Sequence, residues 1–224
     1  MNTSSPYSNL MHKPAILLTG RAAGVWYKNT LQQLEPTYNF NFVQVDFEPI
    51  NALLPDKLKA AALLLEPYFQ ELEKQKVPYI LANITLHEAV QYFTCPPKYF
   101  ISIGDILQQE LKEHAEKVII LGTKYTMNHS FIPSLIPNQI KEKLPIDLEN
   151  EINELRKIYN NEGDIKKSTV LFQKLGKEYP KHNFMIACTE LAMAFRDANP
   201  SPQLHIAHLP LLQCGYLCKK KNLL

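Results

Sequence analysis

Four cysteines in 224 residues, standing in unrelated contexts at Cys95, Cys188, Cys214 and Cys218, are too few and too scattered for the disulfide framework of a small secreted domain. They read as free thiols. Cys214 and Cys218 are four residues apart and could flank a metal on one helical face, but no second His or Cys pair stands near them to complete a zinc site. Charge of one sign is lacking as well. Lys and Arg total 24 against 22 Asp and Glu, for a net charge of +2, and the lysines are scattered among glutamates. This excludes a basic stripe for nucleic acid and a patch for an anionic membrane, and Lys219, Lys220 and Lys221 read as a solvated tail. No apolar run approaches the roughly 18 residues that a membrane span needs. Met1 to Met11 is polar and has no apolar signal core, which predicts a cytoplasmic protein.

The hydrophobic fraction of 46% is enough to bury the core of one large domain or two small ones. Short apolar, β-rich runs alternate with longer helical patterns. Residues 15–19 read as a first buried strand, followed by Gly20, Arg21 and a small-residue turn into Val25, Trp26 and Tyr27. Residues 42–47 alternate like a second strand, and 79–83 form a third. Between them, residues 57–74 place Leu58, Ala61, Ala62, Leu65, Phe69 and Leu72 on one helical face, with Pro67 expected to kink or split the helix. The second half repeats the alternation: strands at 117–123 and 184–189, helices at 149–159 and 166–178, and a strand-like run at 204–209. Strands alternating with helices imply parallel sheets with right-handed crossovers. The fold class expected is therefore α/β, with two similar parallel-sheet α/β domains facing each other across a cleft. The boundary falls near residues 102–107, so that residues 1–103 with a returning segment 208–224 form one domain and residues 104–207 the other.

The chemistry-bearing segment is Ala187-Cys188-Thr189-Glu190-Leu191, where a thiol closes an apolar run beside a hydroxyl and a carboxylate. Parallel α/β sheets place their active groups at such strand ends. A cysteine after a buried strand is also a common inert core residue, so the segment needs its context. Four features supply it in order: Ile50 to Pro55, the run Asn83-Ile84-Thr85-Leu86-His87, the turn Leu121-Gly122-Thr123-Lys124-Tyr125-Thr126-Met127, and the Cys188 segment itself. With the intervening Glu162-Gly163-Asp164-Ile165-Lys166 stretch, the chain from about Ala15 to about Gly215 resembles the aspartate/glutamate racemase superfamily.

That resemblance implies cofactor-independent chemistry in a cleft between two similar domains related by pseudo-two-fold symmetry. An amino-acid Cα–H is a very weak acid, and without pyridoxal phosphate a thiolate must remove it while the α-carboxylate is held tightly enough to stabilise the carbanion. Two thiols on opposite faces permit inversion. Here the alignment of Thr85 and His87 places Asn83 where the first cysteine belongs, and asparagine has no useful proton to exchange. Cys188 keeps the second position, with Thr189 and Glu190 beside it, and a thiol with a reference pKa near 8.5 needs help from its surroundings to be a thiolate near neutrality. The resemblance assigns substrate-binding roles to Thr85, Thr123, Thr126, Lys166, Thr189 and Glu190. Arg21 has two readings, a carboxylate clamp in the cleft or a surface arginine, and Lys166 is either a substrate ligand or a solvated helix-end lysine. His208 stands near the place of a missing aspartate and either titrates there or is a satisfied histidine, while His87 caps, packs or catalyses. Trp26, Tyr27, Tyr92 and Phe93 read as core and cleft wall.

The function these residues imply is a racemase or epimerase acting on a small carboxylate-bearing amino acid, with Cys188 as its single thiol. Two alternatives stay open: other carbanion chemistry of the decarboxylase kind, or a retired enzyme that binds an amino acid or a partner. No metal or cofactor is expected; the partner is a small carboxylate or amino acid, not nucleic acid or membrane, and a homodimer is among the assemblies allowed.

Overall fold

The computed structural model describes residues 13–111, 116–161, 164–198 and 206–221. Its elements run β1 (Ala15–Leu18), α1 (Arg21–Leu34), β2 (Asn41–Gln44), α2 (Phe47–Asn51), α3 (Leu58–Gln75), β3 (Tyr79–Leu81), a 3₁₀ helix (Thr85–Tyr92) and α4 (Ile103–Leu111). The second half follows with β4 (Lys117–Leu121), α5 (Lys124–Asn128), α6 (Ile132–Leu135), β5 (Lys141–Glu142), α7 (Ile146–Asn161), α8 (Ile165–Glu178), β6 (His182–Ile186), α9 (Thr189–Ala198), β7 (Ile206–His208) and α10 (Leu209–Lys221).

All strand pairs are parallel, as the alternation of strand and helix requires. One sheet has the order β2-β1-β3 and the other β5-β4-β6-β7, so each is built on a central strand flanked by the two that follow it. The fold is therefore α/β with two parallel sheets, the second carrying one extra edge strand. β1 and β4 are apolar almost throughout because both faces of a parallel strand are covered by helices. A continuous apolar core runs from Ile16, Leu18 and Ile80 of the first sheet to Ile119, Leu121 and Ile186 of the second, with Tyr27, Leu107 and Leu217 among the helical residues in it. The helix α10 packs on α1, α4 and β3.

The helix α3 corrects one expectation. Its six apolar positions, Leu58, Ala61, Ala62, Leu65, Phe69 and Leu72, all lie buried as the periodicity predicts, but Pro67 sits inside a single unbroken helix. The proline is exposed, and so is Leu63, whose carbonyl loses its hydrogen-bond donor to the proline ring. Water can therefore solvate that carbonyl. Burying Leu65, Phe69 and Leu72 contributes about 1.5–3 kcal/mol each, which outweighs the ~3 kcal/mol cost of an interior proline.

Gly20 marks a second difference. Its φ of 70° is a conformation that side chains with a Cβ avoid, and it turns the chain out of β1 so sharply that α1 begins at Arg21, with no intervening small-residue turn. Phe47, expected in the second strand, instead opens α2.

Candidate active site

A cleft of about 1060 Å³ opens at the carboxyl ends of both sheets. Its walls are the segments that leave the central strands: Thr19 and Gly20 after β1, Ala82 to Thr85 after β3, Thr123 to Thr126 after β4, and Ala187 to Glu190 after β6. Strand ends converge there because every strand of a parallel sheet points the same way. Eight of the nine residues assigned from sequence line this one cleft: Arg21, Asn83, Thr85, Thr123, Thr126, Cys188, Thr189 and Glu190.

Cys188 is 7% exposed and its Sγ–H donates to Glu190 Oε2 at 2.9 Å. Burial pushes the thiol pKa well above its ordinary value, and the neighbouring Glu190 carboxylate raises it further, by its charge and by accepting the proton; the Leu191 backbone N–H and the Arg156 charge pull the other way. The surroundings thus favour the thiol over the thiolate, and the help that a thiolate near neutrality needs is not supplied by burial or by Glu190.

Asn83 has a definite local task. Its Oδ1 accepts from the Leu86 backbone N–H at 3.0 Å and so satisfies a donor in the first turn of the 3₁₀ helix. Across the cleft, Thr123 caps α5: its Oγ1 accepts from the Thr126 N–H at 3.0 Å, and the two hydroxyls lie 2.9 Å apart. Gly122 makes this possible, since a Cβ there would come within 3.0 Å of the Thr126 Cβ.

Lys166 is the residue that the fold does not bring in. It is exposed on α8, beside Leu155, Ile158 and Val170 in a separate surface groove between α7 and α8. Residues Glu162 and Gly163 of the same sequence motif lie outside the described residues. Lys166 therefore does not join the residues that line the cleft around Cys188. The cleft's cations are instead Arg21, Lys124, Arg156 and Arg196. Arg156 was missed because α7 carries no motif; only its amphipathic period, read with the fold in hand, puts it toward the cleft.

Neither His87 nor His208 is among the residues that line the cleft. His87 Nδ1 accepts from the Ile103 N–H at 3.1 Å, which leaves the ring proton on Nε2, 3.2 Å from the Leu81 carbonyl. Gln213 sits between this ring, at 3.1 Å, and the Tyr27 hydroxyl, at 2.9 Å. Burial lowers the His87 pKa to about 4. His208 packs on Phe195 with ring centroids 5.2 Å apart, and burial lowers its pKa to about 4 as well. Trp26 lines the cleft and Tyr27 is core, while Tyr92 is exposed.

Cys214 is buried and Cys218 half-buried. Among the described residues no cluster of three or more His, Cys, Asp and Glu side chains is arranged to hold a metal, and no helix is long and apolar enough to cross a membrane.

No protein-family model matches the chain, and no curated protein matches it by sequence. Solved structures do. An aspartate racemase homologue from Pyrococcus horikoshii OT3 superposes with a TM-score of 0.73 at 18% identity, covering 95% of this chain and 100% of that one. The Picrophilus torridus aspartate racemase gives 0.71 at 14% identity, covering 94% of each. With two parallel sheets, strand ends meeting at one cleft, and these neighbours spanning nearly its whole length, the chain has the fold seen in these aspartate racemase structures.

Proposed function

We propose that this protein is a cofactor-independent enzyme of the aspartate/glutamate racemase type, forming a carbanion at Cα of a small carboxylate-bearing amino acid with Cys188 as its only thiol acid/base. The observation that carries the reading is the Cys188–Glu190 pair at 2.9 Å in the cleft. As a base, Cys188 passes its proton to Glu190 and the resulting thiolate takes the Cα proton. As an acid, the thiol returns a proton to the same face and recovers the other from Glu190. The Thr85, Thr123, Thr126 and Thr189 hydroxyls and the cleft arginines hold the carboxylate, where charge builds as the carbanion delocalises. Asn83 offers no proton on the other face. Exchange of Cα–H with solvent is then faster than inversion.

The raised thiol pKa favours a second reading on the same groups. A thiol kept protonated suits delivery of a proton to a carbanion made by loss of CO₂ from a malonate-like substrate.

The deciding measurement is proton NMR of L- and D-aspartate and glutamate with the protein in deuterium oxide, alongside circular dichroism. The expected result is loss of one enantiomer's Cα–H signal ahead of any change in rotation. Cys188→Ala should slow that exchange by about 10²–10⁴-fold, the usual worth of a general acid–base group. Absence of exchange for all four amino acids would overturn the racemase reading.

A further inference from the structure

Tyr125 makes a contact that the chemistry at Cys188 does not use. It belongs to α5 in the second half of the chain, yet its ring packs against the apolar cluster of the first half that holds Leu81, Leu86 and Ala89. Its hydroxyl donates to Oε2 of Glu88, in the 3₁₀ helix of that first half, at 2.9 Å. We infer that Tyr125 and Glu88 are positioning residues: their hydrogen bond is a strut that fixes the separation of two turns that wall the cleft, Asn83 to Thr85 and Thr123 to Thr126. Its kinetic consequence rests on the racemase reading of the cleft, but its structural consequence does not.

Each end of the strut is rigidly joined to its turn. Glu88 stands three residues beyond Thr85 in one 3₁₀ helix, whose start is held by Asn83 Oδ1 on the Leu86 N–H and whose His87 ring accepts from the Ile103 N–H. Tyr125 stands between Thr123 and Thr126, in a turn closed by the Thr123 cap and by Ser130, whose hydroxyl donates to the Thr126 carbonyl at 2.9 Å. A change in the strut is therefore passed to the turns rather than absorbed between them. Burial, with the Glu88 carboxylate, pushes the Tyr125 pKa up to about 12, so the hydroxyl remains a donor near neutrality. A hydrogen bond to a carboxylate is roughly twice as strong as one between neutral groups. Tyr125 lines the cleft and Glu88 does not, so Glu88 acts on the cleft through Tyr125.

Trp26, the single tryptophan of the chain, lines the cleft and is 8% exposed, so its fluorescence reports the cleft with no ligand present. Acrylamide quenching of Trp26 in the full chain should increase in Tyr125→Phe, which keeps the ring and removes the donor, and in Glu88→Leu, which removes the acceptor from outside the cleft. Glu88→Gln keeps a carbonyl acceptor at the same reach and should quench like wild type. The double variant Tyr125→Phe/Glu88→Leu should match the single ones, because the two side chains act as one unit. With aspartate in deuterium oxide, kcat for Cα–H exchange should fall by up to ~100-fold in Glu88→Leu with KM little changed, the loss that a misplacement on the order of 1 Å brings.

Wild-type quenching in both Tyr125→Phe and Glu88→Leu would overturn the strut, and so would additive changes in the double variant or a Glu88→Gln variant that behaves like Glu88→Leu. Increased quenching with unchanged kcat would overturn the positioning role. If quenching follows the expected pattern but wild type exchanges no Cα–H, the strut stands and the racemase reading falls. If wild type exchanges Cα–H and Glu88→Leu matches it in both quenching and rate, the racemase reading stands and the strut falls.

Discussion

At the scale of single residues, the Cys188 thiol is governed by two neighbours of opposite charge. Glu190 raises its pKa and Arg156 lowers it, with burial dominating both. Alkylation of Cys188, followed by peptide mass mapping, should therefore be slow at neutral pH and accelerate into the alkaline range, whereas exposed Cys95 reacts readily. Glu190→Gln removes the carboxylate charge, so the thiol pKa falls and alkylation at pH 8 should speed up by roughly tenfold for each unit of that fall. Slower or unchanged alkylation would mean that Glu190 does not control the thiol. Asn83 links fold and chemistry in one side chain. Asn83→Cys would supply an acid on the vacant face and should raise inversion of aspartate or glutamate measurably by circular dichroism. The same change loses the acceptor for the Leu86 N–H, so it should cost about 0.5–2 kcal/mol of stability. Fast racemisation by wild type would show that another group already serves as the second acid.

At the scale of elements, the turn from β4 into α5 depends on a missing Cβ. In Gly122→Ala the new methyl would lie 3.0 Å from the Thr126 Cβ and 3.1 Å from its Cγ2, and Thr126 is only 1% exposed, so neither can move freely. Overpacking of this kind costs about 1–3 kcal/mol. Denaturant unfolding should report that loss, and carboxylate affinity should fall with it because the Thr123–Thr126 hydroxyl pair is displaced. Unaltered stability would imply that the turn opens without strain. The helix α3 shows how far periodicity reaches: its buried face was legible residue by residue, yet the effect of Pro67 was not. Whether a proline breaks a helix depends on whether the orphaned carbonyl meets water or protein, and that is decided by which side of the helix docks.

At the scale of the whole molecule, a buried polar network joins distant elements: the Tyr27 hydroxyl ties α1 to Gln213 of α10, and the neighbouring His87 ring ties β3, through Leu81, to α4, through Ile103. The folded His87 pKa of about 4 lies below its ordinary value of 6.5, so between those pH values the unfolded chain binds more protons than the folded one. Stability is therefore fully present above about pH 6.5 and is lost as pH falls toward 4, by about 3 kcal/mol from this residue. His208, lowered to about 4 by burial, adds to the same trend. Urea midpoints measured from pH 7 to pH 4 should decline through this window. His87→Gln should start less stable at pH 7, having lost its part of the network, and decline less steeply. Equal slopes would exclude His87 as the titrating group.

By itself the sequence determined the alternation of strand and helix, the apolar face of α3, and the position of Cys188, Thr189, Thr123 and Asn83 at strand ends, because periodicity and strand-end position are local properties; only the family resemblance implied that they share one site with Thr126 and Glu190. Tertiary structure alone decided which cations enter the cleft. Lys166 has the position in sequence and Arg156 has the position in space, because α7 and α8 pack with different faces toward the strand ends. It also decided the state of the thiol, since desolvation and the balance of Glu190 against Arg156 depend on distances between segments far apart in the chain.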